Sequence, residues 1–416
     1  MARHDMVVLG AGIVGICVAL HLQKRARSVV LLDRRGAAEE TSFGNAGLIQ
    51  REGVYPYGFP HDFGALLRYG FNRTIDAHYH PSALPKLAPF LWRYWHHSRP
   101  ARHAEVARHY AKLIEHCVSE HEALIAEAGA SELVRRDGWM KVFRTGRERD
   151  RRFAEAERWQ RDFGIRHRQL DARALQQAEP HLAPVLAGAL HWTDPISVQD
   201  PQGLALAYLK LFEQLGGRFV QGNAATLEAD GEGWRLRTAE GPLEAGGAVV
   251  ALGPWAEVLT RSLGYDLPLA VKRGYHMHYR AAGEAKLNHP LLDVERGYFM
   301  GPMRRGIRLT TGAEFALRDA IRTPVQLGRA EPIARDLFPL AERLDTEPWM
   351  GARPCTPDML PVIGAAPKHR NLWFAFGHAH HGLTLGAVTG RLVAEMVVGE
   401  SPFVDPAPYS AARFGQ

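Results

Sequence analysis

Cysteine is scarce in this sequence: Cys17, Cys117 and Cys355 are the only three in 416 residues, widely spaced and without a C-x-x-C pair. An odd, scattered set excludes a disulfide framework and a cysteine-based zinc site, so all three are read as reduced thiols and no bound metal is expected. Long apolar runs are missing too. No stretch approaches the roughly 18 uninterrupted apolar positions that a membrane-spanning helix requires. The first apolar segment, Met6-Val7-Val8-Leu9, runs straight into a glycine loop, which argues against a secretory signal and makes a cytoplasmic location the expectation. Internal repeats and low-complexity segments are absent, and no Ser-His-Asp or Cys-His constellation marks nucleophilic catalysis.

What charge there is nearly balances: 51 Lys plus Arg against 45 Asp plus Glu, for a net +6. The small excess hints at an anionic surface or substrate. Much of the basic charge lies between Arg93 and Arg173, where runs such as Arg147-Glu148-Arg149-Asp150-Arg151-Arg152 mix both signs. That pattern suits a solvated helix face, with contact to anionic lipid headgroups as the functional alternative. No nucleic-acid partner is expected. A chain of 416 residues exceeds what one hydrophobic core usually organises, so two domains are expected.

Met6 to Leu9 is a continuous apolar run that suits a buried parallel strand, Gly15 begins an apolar stretch of helical length, and Ser28 to Asp33 reads as a second buried strand. Together they spell a βαβ unit. From Val106 the apolar positions repeat at helical spacing towards Gly129, which is placed to end that helix. A strand at 138–143, a charged helix at 149–163 and an amphipathic helix at 204–215 follow. Gly246 to Gly253 reads as a third buried strand of the first kind, whereas 275–279 and 308–311 look like antiparallel strands of a different sheet.

The turn of the βαβ unit carries Gly10-x-Gly12-Ile13-Val14-Gly15, and its second strand ends in Asp33-Arg34. Gly10 permits the tight turn, Gly12 lets backbone approach a diphosphate, and Gly15 lets helix and strand pack closely, with the helix N-terminus facing the phosphate charge. Asp33, eighteen residues past Gly15, is placed to bind ribose hydroxyls and disfavours a 2′-phosphate. The spacing therefore points to an unphosphorylated dinucleotide and leaves FAD and NAD open.

Past the second strand lies Thr41-Ser42-Phe43-Gly44-Asn45-Ala46-Gly47-Leu48, small residues and hydroxyls that suit backbone lying flat against a planar ring. Here the chain resembles the D-amino-acid oxidase superfamily of flavoproteins, and most closely bacterial D-amino-acid dehydrogenases, in which a T-S-x-x-N-A-G segment follows the ribose acid. The resemblance continues at Ala251-Leu252-Gly253-Pro254-Trp255, at Gly351-Ala352-Arg353-Pro354, and at Gly377 to Thr384 before a terminal helix.

The resemblance implies an α/β fold: a Rossmann-like FAD-binding domain of the glutathione-reductase type, with a second substrate domain on a mixed or antiparallel sheet plus helices. The FAD domain is expected over 1–51, 198–266 and 350–416, and the substrate domain over 52–197 and 267–349. The implied cofactor is non-covalent FAD, with Gly382, Leu383 and Thr384 at a helix start aiming N–H groups at the flavin. Some relatives attach flavin to a cysteine in this region, but the position of Cys355 does not match, and it is read as structural.

Arg353 occupies the family's carboxylate-binding position, where a guanidinium can form two parallel hydrogen bonds. Tyr275 and Tyr298, on the second sheet, are candidates for assisting the carboxylate or screening the cavity; Arg273 and His276 rank behind them. His381 is the histidine expected nearest to substrate. The implied reaction is FAD-dependent oxidative deamination of D-amino acids, by hydride transfer from Cα to flavin N5, giving 2-oxo acids and ammonium. The same chemistry on glycine, sarcosine, proline or hydroxyproline is the alternative, and a non-catalytic flavin or electron-transfer protein a remote one. A respiratory quinone as electron acceptor, with peripheral contact to the inner membrane, is a further expectation from dehydrogenase-type relatives.

Overall fold

A computed structural model describes residues 3–415; residues 1, 2 and 416, at the ends of the expected FAD-domain segments, lie outside the described residues. The strand His4–Leu9, the helix Ile13–Lys24 and the strand Val29–Asp33 form the βαβ unit. Its two strands pair in parallel, Met6 opposite Val29 and Leu9 opposite Leu32. Parallel neighbours extend the sheet on both sides: Arg218–Gln221 beyond Val29–Asp33, then Gly241–Val250 and Leu372–Phe376 beyond His4–Leu9.

Both faces of this sheet are covered, as a parallel sheet requires. Val8 and Leu31 join one core with Ile16, Val388 and Leu392, while Val7, Leu9, Val30 and Leu32 join another with Trp234 and Phe374. Continuous apolar strands are the sequence consequence of that double burial. The helix Gly382–Val398 packs beside Ile13–Lys24 in the first of these cores.

Among the described residues the second sheet has eleven strands, centred on the long strand Ala270–Ala281. Gly306–Thr310 pairs antiparallel with it, His276 opposite Thr310 and His278 opposite Arg308, matching the antiparallel reading of 275–279 and 308–311. On its other side Trp349–Cys355 pairs antiparallel along its whole length, from His276 opposite Trp349 to Ala270 opposite Cys355. This strand therefore belongs to the second sheet, although the expected domain division at 350 put most of it with the FAD-binding segments. Its seven residues read equally well in either sheet, and only its pairing with a distant strand decides between them.

The single helix expected from Val106 towards Gly129 is two, Pro100–Ile114 and Cys117–Glu127. No glycine or proline marks the break at Glu115-His116. Each helix reaches the start of Gly382–Val398 with its own polar side chain. The Tyr110 hydroxyl lies 2.6 Å from His381 Nδ1, and His121 Nε2 donates to the Leu383 carbonyl at 2.7 Å. The expected charged helix runs over Gly146–Phe163, and three of its arginines pair within it, Arg149 with Asp150, Arg151 and Arg152 with Glu148, and Arg152 also with Glu155.

Candidate active site

A cavity of about 1170 Å³ lies between the two sheets, and both the glycine loop and Arg353 border it. At the loop, strand His4–Leu9 stops at Gly10, whose φ of +106° is left-handed and whose N–H donates to Leu32 O at 2.7 Å. The Gly10 carbonyl occupies the place a Cβ on Gly15 would take, so the helix starts as close to the strand as backbone allows. Gly12 caps that helix without a side-chain bond, while Ser42 Oγ accepts the Ile13 N–H at 3.0 Å.

Asp33 braces the loop. Its Oδ2 accepts the Ala11 N–H at 2.8 Å and its Oδ1 accepts the Arg35 N–H at 3.2 Å. Each carboxylate oxygen keeps acceptor capacity for a ribose hydroxyl. Beside it the Arg34 guanidinium stands 4.8 Å from the Trp255 ring centroid and pairs with Glu40 at 3.1 Å, so cation and ring form one wall. A side-chain-free helix start with a braced acid beside it fits a dinucleotide.

Further along, Ile13, Val14, Thr41, Ser42, Asn45, Ala46, Leu48, Ala251, Gly253, Gly382 and Leu383 all border the cavity. The Thr41 hydroxyl donates to Ala352 O at 3.0 Å, tying this segment to the second sheet. Three expected cofactor residues do not border it. Gly15 serves packing, as above. Gly47 turns at φ +76° against the Val198 carbonyl, and the Thr384 hydroxyl accepts from Gln50 N at 3.2 Å and donates to Leu48 O at 3.1 Å. Both hold the segment in place from behind.

On the second sheet, Arg353 donates to Gly312 O at 3.1 Å and to Thr311 O at 3.4 Å. It has no carboxylate partner among the described residues, and burial lowers its pKa from the usual arginine value. Two carbonyls leave part of its five-donor fork for an incoming anion.

The other expected catalytic residues fare differently. Tyr275 borders the cavity, yet its hydroxyl donates to Glu314 Oε2 at 2.9 Å and accepts the Thr323 N–H at 2.9 Å. That hydroxyl is committed to a buried network in which Arg273 Nε meets Glu314 Oε2 at 2.6 Å, both side chains fully buried. Tyr298 is fully buried in the core of the second sheet, next to Asp293 and Arg144, and does not border the cavity. His276 stacks on Trp349 and also lies off it, its pKa pushed down to about 2 by burial.

His381 is turned away as well, with Nδ1 at Tyr110 and Nε2 3.2 Å from Gln50 Oε1, and burial lowers its pKa to about 3. Its neighbour His380 borders the cavity instead, 4.6 Å from Tyr57 between ring centroids, and burial holds it neutral with its pKa well below the ordinary value. The left-handed Ala379, φ +50°, rotates the chain just before these residues, so periodicity could not tell which histidine faces inward. Lys272, Tyr57, Tyr94 and Met359 border the cavity and were not anticipated either. The available signal for Lys272 was strand alternation, which puts it on the face of Gly274, opposite to Arg273 and Tyr275.

Among the described residues, His78, His80 and Glu314 bring three potential metal-ligand atoms within 4.8 Å of one another. The Glu314 carboxylate already accepts from Arg273, Tyr275 and Thr323, and the guanidinium in that set opposes a cation. Cys355 Sγ donates to Arg353 O at 3.4 Å, and burial raises its pKa, so it is a protonated thiol turned to backbone.

A family model described as FAD dependent oxidoreductase matches residues 5–396. Similar proteins include a D-amino-acid oxidase of Bradyrhizobium diazoefficiens, 29% identical with 99% of each chain covered. A D-amino acid dehydrogenase of Paramagnetospirillum magneticum is 31% identical over 95% of each chain. Among solved structures, glycine oxidase from Geobacillus kaustophilus superposes with a TM-score of 0.74 at 23% identity, covering 99% of each chain, and so shares the fold.

Proposed function

The chain belongs to the FAD dependent oxidoreductase family, and we propose that within it the protein is an oxidative deaminase whose substrates are D-amino acids. The observation that carries this reading is Arg353: a guanidinium without a carboxylate partner among the described residues, in the same cavity as the glycine loop. A cavity that pairs a dinucleotide cradle with an unneutralised guanidinium suits a small carboxylate-bearing reductant. It argues against a non-catalytic flavin carrier, which has no use for a buried cation.

FAD is the cofactor and, when bound, supplies the two-electron acceptor. Gly10, Gly12 and the start of Ile13–Lys24 would hold its diphosphate, Asp33 its ribose, and Gly382 and Leu383 the ring end. Cys355, a protonated thiol facing backbone, offers no nucleophile, which supports non-covalent binding.

Arg353 binds the substrate carboxylate and so fixes the direction of Cα. The amine must be neutral for its lone pair to assist loss of hydride from Cα. Burial and the neutral His380 favour that form, because a desolvated site without a free carboxylate among the described residues opposes an ammonium. Loss of hydride from Cα and a proton from nitrogen leaves C=NH, and water then releases the 2-oxo acid and ammonia. Glycine, sarcosine, proline and hydroxyproline present the same carboxylate to Arg353 and form the second reading.

An anaerobic flavin-bleaching screen over D- and L-amino acids, glycine, sarcosine and hydroxyproline isomers tests this. Bleaching by D-amino acids is expected. Bleaching only by L-amino acids or the secondary amines would replace the D-specific reading, and none at all would end the enzyme reading.

For the electron acceptor, the exposed apolar side chains Phe63, Leu67 and Phe71 on and after the helix Phe63–Gly70 support peripheral membrane contact and a quinone. The helix Gly146–Phe163, where Arg149, Arg151 and Arg152 are already paired with acids of the same helix, offers fewer free cations than its composition suggests. Flotation with anionic vesicles should carry the protein up, and Phe63→Ser with Leu67→Ser should abolish it; a protein that stays down regardless removes the idea.

A further inference from the structure

Two cations face this cavity from adjacent strands. Lys272 and Arg353 are opposite each other in the antiparallel register, so their side chains leave the sheet on the same side, and both border the cavity. They then diverge. The Arg353 guanidinium leans over Gly274 towards the Thr311 and Gly312 carbonyls, whereas Lys272 Nζ lies 3.9 Å from the Tyr94 ring centroid and 3.8 Å from Met359 Sδ.

Lys272 is only 7% exposed. A π face and a thioether attract an ammonium weakly and cannot neutralise it. Arg273, the next residue, shows the usual solution to burial, since its guanidinium is bonded to Glu314. Lys272 has no such carboxylate among the described residues. The acids that border the cavity are engaged or distant: Asp33 and Glu40 serve the nucleotide end, with Glu39 beside them, and Asp76 binds Tyr69 and Arg68.

We propose that Lys272 receives a second carboxylate of the substrate, so that the amines oxidised are those of dicarboxylic amino acids of the aspartate or glutamate type. This rests on the oxidative-deaminase reading and adds no chemical step to it. Charge balance supports it. With the amine neutral, a monocarboxylic amino acid carries one negative charge and a dicarboxylic one carries two, matching one anion to Arg353 and one to Lys272. The divergence of the two cations leaves separate berths for carboxylates at opposite ends of a short chain, and desolvation in the half-buried site sharpens discrimination against a neutral end.

The test compares aspartate with asparagine and glutamate with glutamine, in both enantiomers, using the FAD-loaded enzyme. Each amide is nearly the shape of its acid and lacks only the charge. In wild type, kcat/KM for one acid should exceed that for its amide by about tenfold or more, the scale of a charged hydrogen bond. In Lys272→Met that ratio should fall at least tenfold, through KM. A binding readout independent of turnover accompanies it: succinate should raise Tm more than butyrate at equal concentration in wild type, and equally in Lys272→Met. Equal kcat/KM for acid and amide in wild type, or an unchanged ratio in the variant, overturns the proposal while bleaching by other amino acids leaves the parent reading intact. No bleaching by any amine overturns both.

Discussion

The Arg353 guanidinium lies where a side chain on Gly274 would begin, so the strand Ala270–Ala281 leaves a gap for the cation that Trp349–Cys355 supplies. Gly274→Ala is therefore expected to push the guanidinium aside with little effect on the sheet. KM for substrate should rise about tenfold, the scale of a weakened charged hydrogen bond, with FAD content unchanged. Steady-state kinetics beside the flavin-to-protein absorbance ratio read both; a normal KM would show that the gap is not needed.

Arg353→Ala removes the cation itself. Loss of a charged, partly buried hydrogen-bonding pair is worth roughly 2–3 kcal/mol, so kcat/KM should fall about 30- to 150-fold. The flavin spectrum should be retained, because Arg353 hydrogen-bonds Thr311 and Gly312, whereas the glycine loop is braced by Asp33 and Ser42. Unchanged kinetics would remove Arg353 from the site.

Asp33→Ala should act on the cofactor instead. It deletes the acceptor for Ala11 N–H and the acid placed for ribose, so the loop loses its brace as well as a ligand contact. FAD affinity should drop by about 10- to 100-fold, from one or two lost hydrogen bonds to a charged group. Titration of the flavin-free protein with FAD measures this, and full occupancy at stoichiometric FAD would contradict it.

Stability should fall with acid in a defined window. Burial lowers the pKa of His21, His378 and His381 to about 3 and that of His121 to about 4. Their unfolded value is about 6.5, so between that pH and the folded value the unfolded chain binds more protons, and stability decreases as pH falls. Above about pH 6.5 these groups contribute no slope. Each adds at most about 1.4 kcal/mol per pH unit. His21 Nε2 has no hydrogen-bond partner among the described residues, so His21→Leu should keep the fold and flatten the slope by one such share. Thermal unfolding from pH 8 to pH 5 checks this; a variant with an undiminished slope would assign the protons elsewhere.

Much of this protein was legible in the sequence because its signals are local. Strand, glycine turn, helix and acid lie within residues 4–33, and the backbone rules that require Gly10 and Gly15 act over a few residues. The continuous apolar strands announced burial on both faces, and the Arg353 motif stood out in its own segment. Tyr275, Tyr298 and His381 were harder. All three are conspicuous by type and segment, but the direction of a phenol or imidazole depends on which partners claim it. Glu314 claims the Tyr275 hydroxyl, the core of the second sheet buries Tyr298, and Tyr110 with Gln50 hold His381.

By itself, then, the sequence determined the dinucleotide cradle and the presence of a guanidinium in a recognisable motif, since both depend on short-range stereochemistry. The tertiary structure alone decided that Trp349–Cys355 joins the second sheet, that His380 and not His381 borders the cavity, and that Lys272 stands opposite Arg353. Those outcomes follow from pairing between strands some eighty residues apart and from competition for hydrogen bonds in a shared interior. No local pattern encodes either.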